Sequence, residues 1–345
     1  MTAPPAGPVT GTAGTDQPRL VDRFGRVHRD LRVSLTDRCN LRCTYCMPAE
    51  GLPWIASPDL LTADELVRVV GIGTTLGITD VRLTGGEPLV RPDAVDIVAR
   101  FAALPGAPRL SMTTNGLRLA ALARPLAEAG LSRVNVSCDS LSRGTFQRLT
   151  LRDRLDDVLA GIAAARDAGL TPVKVNAVLV RGVNDHEADA LLRWALSEGV
   201  QLRFIEQMPL DPQHAWNRAM MITREEILDR LASAGHVLTP VPGRGSAPAE
   251  EFVIDDGPAT VGIVGSVTSP FCDACDRVRL TADGQWRSCL FARREADLRS
   301  LLRSGAPDSA LVDLMSAEVA VKQRGHGIDE PAFHQPQRPM SAIGG

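Results

Sequence analysis

The sequence predicts an α/β fold, an incomplete (β/α)6 TIM-like barrel of parallel strands followed by a smaller C-terminal domain. Three observations predict it. Strand and helix patterns alternate six times between about residues 30 and 235. In most of these strands every second residue is polar. The chain has 345 residues, 44% of them hydrophobic and 23% charged, which is typical of a globular protein with a sizeable core.

The strands are expected where short apolar runs occur, at 31–36, 79–84, 109–115, 132–138, 172–180 and 200–207. Two capping boxes predict helix starts between them, at Thr62 with Glu65 and at Thr223 with Glu226. Pro92 suits a first helical turn, and Asn184 or Asp185 can cap another helix. Repeated strand–helix units predict a parallel sheet with right-handed crossovers.

One face of the first five strands is polar. The polar positions, in strand order, are Arg32, Ser34 and Thr36; Arg82 and Thr84; Ser111 and Thr113; Asn135 and Ser137; Lys174 and Asn176. Only the sixth strand breaks the pattern. Parallel strands are normally apolar on both faces, and closed eight-stranded barrels fill their lumen with branched apolar side chains. The polar face therefore favours an open barrel lined for a large polar ligand over an ordinary solvent-exposed sheet.

The composition changes after about residue 236. A Pro/Gly/Ala-rich stretch at 240–249 precedes short strands near 251–255 and 260–267, a hairpin at Asp283-Gly284, and helices near 293–304 and 309–322. We expect a barrel domain at 20–235 and a C-terminal domain at 236–325. Residues 1–19 are expected to be a disordered tail, and 326–345 a mobile tail that ends in Gly344-Gly345.

The formal net charge of −3 predicts no nucleic-acid or membrane partner. The N-terminal segment has neither the basic nor the apolar region of a signal peptide. No apolar run approaches the roughly 18 residues of a membrane-spanning helix. We therefore expect a cytoplasmic protein.

Six of the seven cysteines form two triplets, Cys39, Cys43 and Cys46, then Cys272, Cys275 and Cys289. In a reduced compartment such grouping indicates metal binding. No histidine lies at a metal-ligand spacing from either triplet, so one coordination position would stay open. That suits a catalytic zinc or a [4Fe–4S] cluster with one exposed iron. A structural zinc site remains an alternative for the second triplet.

The first triplet, with Tyr45 before its last cysteine, resembles the radical S-adenosylmethionine (SAM) superfamily, as does the segment Gly85-Gly86-Glu87-Pro88. The resemblance implies that the three thiolates hold a [4Fe–4S] cluster whose fourth iron binds SAM. It also implies reductive cleavage of SAM to a 5′-deoxyadenosyl radical.

Further segments resemble the MoaA family, the GTP 3′,8-cyclases of molybdenum cofactor biosynthesis, over about residues 20–345. They are 82–91, 113–116, 204–208, 271–280 and the terminal Gly344-Gly345. The resemblance implies a lyase that abstracts the C3′ hydrogen of GTP and joins C3′ to C8. The product is 3′,8-cyclo-7,8-dihydro-GTP, which cyclic pyranopterin monophosphate synthase then consumes. No residue needs to act as a strong general base.

The resemblance also implies roles for individual residues. Tyr45, Gly86, Ser137 and Met208 would contact SAM. Cys272, Cys275 and Cys289 would hold a second [4Fe–4S] cluster that meets the guanine base. The GTP contacts would be Arg32, Arg82, Thr113, Lys174, Arg277, Val278 and Arg279. The terminal glycines would reach toward the active site. Cys138 departs from the family pattern and is expected to be a small core residue.

Two other functions remain alternatives: a radical SAM peptide maturase with an auxiliary cluster, and a non-catalytic zinc or redox-binding protein. Peptide maturases usually carry more C-terminal cysteines than this chain. The sequence leaves open the reductant and the oligomeric state, for which a homodimer is one option.

Overall fold

The polar face predicted for the strands is the inner face of one long, open sheet. The structure, a computed structural model, describes residues 19–331 and 333–344. Almost all of the N-terminal segment expected to be disordered, and the final glycine, lie outside the described residues. Six parallel strands form the centre of the sheet: β1 (Asp30–Ser34), β2 (Asp80–Thr84), β3 (Arg109–Thr114), β4 (Arg133–Ser137), β5 (Lys174–Val178) and β6 (Gln201–Ile205).

The remaining strands extend this sheet at both edges. They are β7 (Leu238–Pro240), β8 (Glu250–Ile254), β9 (Thr260–Val264), β10 (Arg277–Leu280), β11 (Gln285–Arg287) and β12 (Ala296–Asp297). The order is β12-β11-β10-β1-β2-β3-β4-β5-β6-β9-β8-β7, so the sheet does not close. β10 pairs in parallel with β1, and β9 pairs in parallel with β6. The C-terminal region therefore completes both edges of the predicted barrel.

The helices of the described residues, apart from the last, pack around the sheet. They are α1 (Ala63–Thr75), α2 (Ala94–Ala102), α3 (Leu119–Glu128), α4 (Arg143–Thr150), α5 (Leu155–Asp167), α6 (Ala188–Glu198), α7 (Arg224–Ser233), α8 (Leu298–Arg303), α9 (Asp308–Ala320) and α10 (Met340–Ile343). One continuous apolar core joins α1 to α9 to the sheet, whereas α10 lies at the inner face. Cys138 is 1% exposed within it, as expected. No helix in the described ranges is long and apolar enough to cross a membrane.

Both predicted capping boxes are present, at α1 and α7. Three local expectations differ from the structure. Pro92 lies outside α2, which begins at Ala94. Asn184 does not cap a helix with its side chain, because its amide donates to Asp139 and Val178 carbonyls at the ends of β4 and β5. The helix expected at 293–304 begins at Leu298, because the residues before it pair with β11.

Register explains the polar inner face. Arg32 of β1 lies between Arg82 of β2 and Arg279 of β10, so three arginines stand side by side. The sixth strand continues this face, contrary to expectation. Its Arg203 is paired in register with Asn176 of β5. The inner face is therefore polar across all six central strands.

Candidate active site

The loop that follows β1 carries the first cysteine triplet, here called the N-terminal triplet. Gly86 N donates to the Thr36 carbonyl at 2.8 Å, and Glu87 N donates to that of Arg38, also at 2.8 Å. A Cβ atom at Gly85 or Gly86 would come within 2.4 Å of a backbone oxygen in this loop. The two glycines are therefore needed so that the end of β2 can hold the cysteine loop directly.

The buried carboxylate of Glu87 stabilises this arrangement through hydrogen bonds. Its carboxylate accepts hydrogen bonds from Leu89 N, Thr114 Oγ1 and Asn115 N, at 3.0, 2.7 and 2.6 Å. Burial raises the pKa of Glu87 to about 7, although these hydrogen bonds oppose the shift. The side-chain amide of Asn115 in turn donates to Cys39 Sγ at 3.8 Å. The ends of β2 and β3 therefore orient the first cysteine.

Burial dominates the surroundings of the N-terminal triplet. It raises the pKa of Cys39, although the Arg42 guanidinium, which donates to the Cys39 carbonyl at 2.7 Å, opposes this shift. Burial raises the pKa of Cys46 to about 12, and Cys39 and Asp139 add to the shift. Burial likewise raises the pKa of Cys43 well above its usual value. The Tyr45 hydroxyl donates to Asp139 Oδ2 at 2.6 Å. Three thiols in such a setting stay protonated unless a bound metal supplies the positive charge, which fits an iron–sulfur cluster.

Residues 272, 275 and 289, here called the C-terminal triplet, differ from the N-terminal triplet at Cys275. Burial raises the pKa of Cys272, as it does in the N-terminal triplet. Burial alone would also raise the pKa of Cys275, but the charges of Arg277 and Lys322 outweigh it and lower this pKa to about 7. Lys322 Nζ lies 3.6 Å from Cys275 Sγ. The thiolate of Cys275 is therefore favoured before any metal binds, which fits a ligand of a cluster.

The two triplets open into adjoining cavities. The N-terminal cavity has a volume of about 240 Å³ and includes Cys39, Cys43 and Cys46 in its wall. The C-terminal cavity has a volume of about 180 Å³ and includes Cys272, Cys275 and Cys289. The residues that line both cavities are Thr113, Asn176, Ile205, Met208 and Met340. The triplets therefore share one chamber.

The C-terminal cavity holds a surplus of cations. Arg32, Arg82, Arg203, Arg277 and Arg279 line it. In the described part of the chain only Arg32 among them pairs with a carboxylate, that of Asp30 at 3.0 Å. Arg82 Nε and Arg277 Nη2 are buried without a hydrogen-bond partner. Burial, with Arg32 nearby, lowers the pKa of Arg82. Such a cluster of guanidinium groups, most of them without a carboxylate partner, is suited to a polyanion.

The C-terminal segment enters the chamber, although its composition predicts a mobile tail. Met340 lines both cavities, and Ile343 is fully buried. Arg279 donates to the Gly344 carbonyl. Gly344 has φ +85°, and a Cβ there would lie 2.6 Å from Thr84 Oγ1. The resemblance-based expectation that the terminal glycines reach inward thus agrees with the position of Gly344.

Most residues predicted for the site lie together. Tyr45, Gly86, Ser137 and Met208 line the N-terminal cavity. Arg32, Arg82, Thr113, Arg277 and Arg279 line the C-terminal cavity. Two others do not: Val278 has its side chain in the core, so only its backbone could face a ligand. Lys174 lies on the inner face beside Asn135 but outside both cavity walls.

Sequence reasoning missed five polar side chains in the C-terminal cavity wall, those of Asn135, Asn176, Arg203, Ser266 and His326. The strand alternation had placed the two asparagines on the polar face but assigned them no role. Arg203 Nε donates to Asn176 Oδ1 at 3.1 Å. The segment Gln201-Leu202-Arg203-Phe204 alternates between polar and apolar residues, which places Arg203 on the polar face. The apolar Ile205 then breaks this alternation, so the sixth strand was not predicted to be polar.

Comparison with known proteins agrees with this geometry. The Radical SAM superfamily model matches residues 33–195, and the model described as Molybdenum Cofactor Synthesis C matches residues 200–328. A protein named GTP 3′,8-cyclase from Streptomyces coelicolor is 58% identical over 328 residues, covering 94% of this chain and 96% of its own. One of the same name from Paenarthrobacter nicotinovorans is 54% identical, covering 94% and 97%.

Among solved structures, Streptococcus suis SuiB bound to its precursor peptide SuiA has a TM-score of 0.60 with this chain at 12% identity. The likeness covers 87% of this chain and 69% of SuiB. SuiB bound to S-adenosylmethionine gives a TM-score of 0.56, also at 12% identity. At this identity the likeness shows the fold alone.

Proposed function

This chain belongs to the MoaA family of GTP 3′,8-cyclases, within the radical SAM superfamily, and from this premise we propose that it converts GTP into 3′,8-cyclo-7,8-dihydro-GTP. A hydrogen atom is removed from C3′ of the ribose, C3′ then bonds to C8 of guanine, and one electron from an external reductant and one proton complete the 7,8-dihydro product. This is the first step of molybdenum cofactor biosynthesis. The family membership makes the protein an enzyme that uses SAM and iron–sulfur clusters.

The observation that carries the proposal is the shared chamber with two electrostatically different halves. A reaction between two bound molecules needs both held in one water-poor space. The N-terminal cavity has a cysteine triplet held by the Gly85-Gly86 segment. The C-terminal cavity has a second triplet and five guanidinium groups. SAM bound in the N-terminal cavity and GTP bound in the C-terminal cavity would therefore lie next to each other, beside the residues that line both cavities.

The residues of the N-terminal half would hold SAM against a [4Fe–4S] cluster bound by Cys39, Cys43 and Cys46. When bound, this pair supplies the 5′-deoxyadenosyl radical that takes the C3′ hydrogen. The chain's own contribution is orientation: Gly86 keeps the backbone close to the ligand, and Ser137 and Met208 line the same cavity. No titrating side chain is needed for the hydrogen transfer.

The residues of the C-terminal half would hold GTP. Arg32, Arg82, Arg203 and Arg279 would supply donors for the triphosphate, and Lys174 lies at the same inner face. Cys272, Cys275 and Cys289 would bind a second [4Fe–4S] cluster beside the guanine base. Phosphates held by scattered arginines and not by a P-loop suit a nucleotide that is rearranged and not hydrolysed.

We place the reaction in the cytoplasm, where the thiolate ligands stay reduced. Its product would pass to cyclic pyranopterin monophosphate synthase, the functional partner. The proposal names neither the physiological reductant nor an oligomeric state.

Anaerobic reconstitution tests the proposal. We expect about eight irons per chain, the content of two four-iron clusters. Incubation with SAM, dithionite and GTP should yield 5′-deoxyadenosine and the cyclised nucleotide in equal amounts. ATP serves as the matched control nucleotide, because it carries the same triphosphate on a different base. Colourless protein with stoichiometric zinc would support a non-catalytic role, and turnover of a cysteine-containing peptide but not GTP would support a maturase.

A further inference from the structure

Lys322 is a buried cation that the proposed reaction does not use. It lies just after α9 and is 3% exposed. Its ammonium group donates to the Arg277 carbonyl at 2.8 Å and contacts Cys275 Sγ at 3.6 Å. In the described ranges no carboxylate lies within ion-pair distance of Lys322. The contacts of this lysine are therefore a backbone carbonyl and a cysteine of the C-terminal triplet.

A buried ammonium group without an anion is costly, because the interior cannot replace its hydration. The other ionisable groups around Lys322 do not provide the anion. Arg26 and Arg277 are cations that oppose its charge. His28 is fully buried, and its pKa falls to about 4, chiefly through burial and then through Lys322 itself, so that it is neutral. The Cys275 sulfur, 3.6 Å from the ammonium group, is the contacting group that can carry the compensating negative charge.

The composition of the chain makes this position unusual. Only two of the 38 basic residues are lysines, Lys174 and Lys322, and all others are arginines. A compact ammonium is a point charge with three donors, whereas a guanidinium is a planar fork that suits carboxylates and phosphates. A lysine in a chain that otherwise uses arginine, buried against a sulfur atom, indicates a site that needs the smaller cation.

We propose that Lys322 is a positioning residue for the C-terminal [4Fe–4S] cluster: its ammonium donates a hydrogen bond to the Cys275 thiolate and keeps the cluster easier to reduce. This rests on the proposed function, since it requires Cys272, Cys275 and Cys289 to hold a cluster. Reduction adds one electron to the cluster, so a fixed neighbouring cation stabilises the reduced form more than the oxidised form.

The test compares the reduction of both clusters within one reconstituted chain. Titration with dithionite in the presence of mediators, followed by electron paramagnetic resonance, reports each cluster; SAM perturbs the N-terminal signal and GTP the C-terminal one. In Lys322→Met and Lys322→Gln, the ratio of reduced to oxidised C-terminal cluster at a fixed potential should fall about tenfold, equivalent to about 59 mV for a one-electron couple. The N-terminal cluster should not change.

Two control variants define the cause. Lys322→Arg keeps the charge, so its ratio should stay closer to that of the wild type than either neutral variant. Arg23→Gln removes an exposed cation that contacts the neighbouring Gln323 without reaching the triplet. Solvent screens that charge, so no change is expected. A fully loaded Lys322→Met protein with an unchanged ratio would overturn the proposal.

A second measurement needs no neutral variant. In protein labelled with ¹⁵N-lysine, pulsed electron paramagnetic resonance should detect a coupling between the lysine ¹⁵N nucleus and the electron spin of the reduced C-terminal cluster. Lys174→Arg leaves Lys322 as the sole lysine and should preserve the signal. Absence of the coupling refutes the role of Lys322 even if its variants fail to fold. A wild-type chain that binds only four irons, all of them lost in Cys39→Ser, would instead refute the second cluster and with it the proposed function.

Discussion

The two cysteine triplets offer the same number of thiols in different electrostatic settings. Around the N-terminal triplet, burial raises the pKa of all three thiols, that of Cys46 to about 12. In the C-terminal triplet, Arg277 and Lys322 lower the pKa of Cys275 to about 7 despite burial. The difference shows that Arg277, which lines the C-terminal cavity, also acts on the neighbouring Cys275 thiol. We therefore expect ligand binding and cluster electrostatics to be coupled more strongly in the C-terminal half of the chamber than in the N-terminal half.

The largest expected effect comes from replacing one cysteine in each triplet, because the two triplets have different roles in the proposed reaction. Cys39→Ser removes an N-terminal ligand, so 5′-deoxyadenosine formation should fall to background. Cys289→Ser leaves that triplet intact, so SAM cleavage should continue while GTP is mispositioned and little cyclised product forms. Anaerobic assays with chromatographic detection measure both. Continued 5′-deoxyadenosine formation by the Cys39→Ser protein would exclude the N-terminal triplet as the SAM site.

The second effect concerns the cation surplus of the C-terminal cavity. Arg82→Met removes an unpaired buried donor, and one charge-assisted hydrogen bond is worth about 1.5–3 kcal/mol. The KM for GTP should rise about 10- to 100-fold, while the KM for SAM stays constant. Arg100→Met, on the outer surface of α2, is the matched control. Equal changes in the KM for GTP and the KM for SAM would mean that the two cavities do not bind these ligands independently.

A third effect is a pH dependence. Burial, with Arg203 adding, lowers the pKa of Lys174 to about 8. The ammonium is present below this pH and is lost above it, so GTP affinity should fall as the pH rises from 8 to 9.5. The loss should reach about tenfold, the value of one charge-assisted hydrogen bond. Equilibrium binding in Lys174→Arg, which stays charged, should show a flatter profile; identical profiles would remove Lys174 from the GTP site.

The smallest effect tests the N-terminal triplet alone. Asn115→Leu removes the amide that donates to Cys39 Sγ. A single neutral hydrogen bond is worth about 0.5–1.5 kcal/mol. The reduced fraction of the N-terminal cluster at a fixed potential should therefore fall about three- to tenfold. The C-terminal cluster is the internal reference, and a shift there instead would contradict the separation of the two halves.

The sequence was informative wherever local pattern decides structure. The six strands and the polar face of the first five follow from periodicity, the two capping boxes follow from their Thr-x-x-Glu motif, and the cysteine spacing predicts the two triplets. The burial of individual polar residues and of the C-terminal segment could not be predicted in the same way. Lys322 follows a helix, where a lysine usually lies in solvent and interacts with the helix dipole. The tail at 333–344 is rich in proline and polar residues, but contacts such as that between Arg279 and Gly344 hold it inside.

The pairing of β10 with β1 and of β9 with β6 has a consequence for how the protein is made. Until the ribosome has delivered residues 277–280, the first strand keeps one side of its backbone unsatisfied, and such open edges recruit strands from other molecules. Contacts this distant in sequence also form slowly. A fragment that stops at residue 235 would keep both edges bare, so we expect it to aggregate.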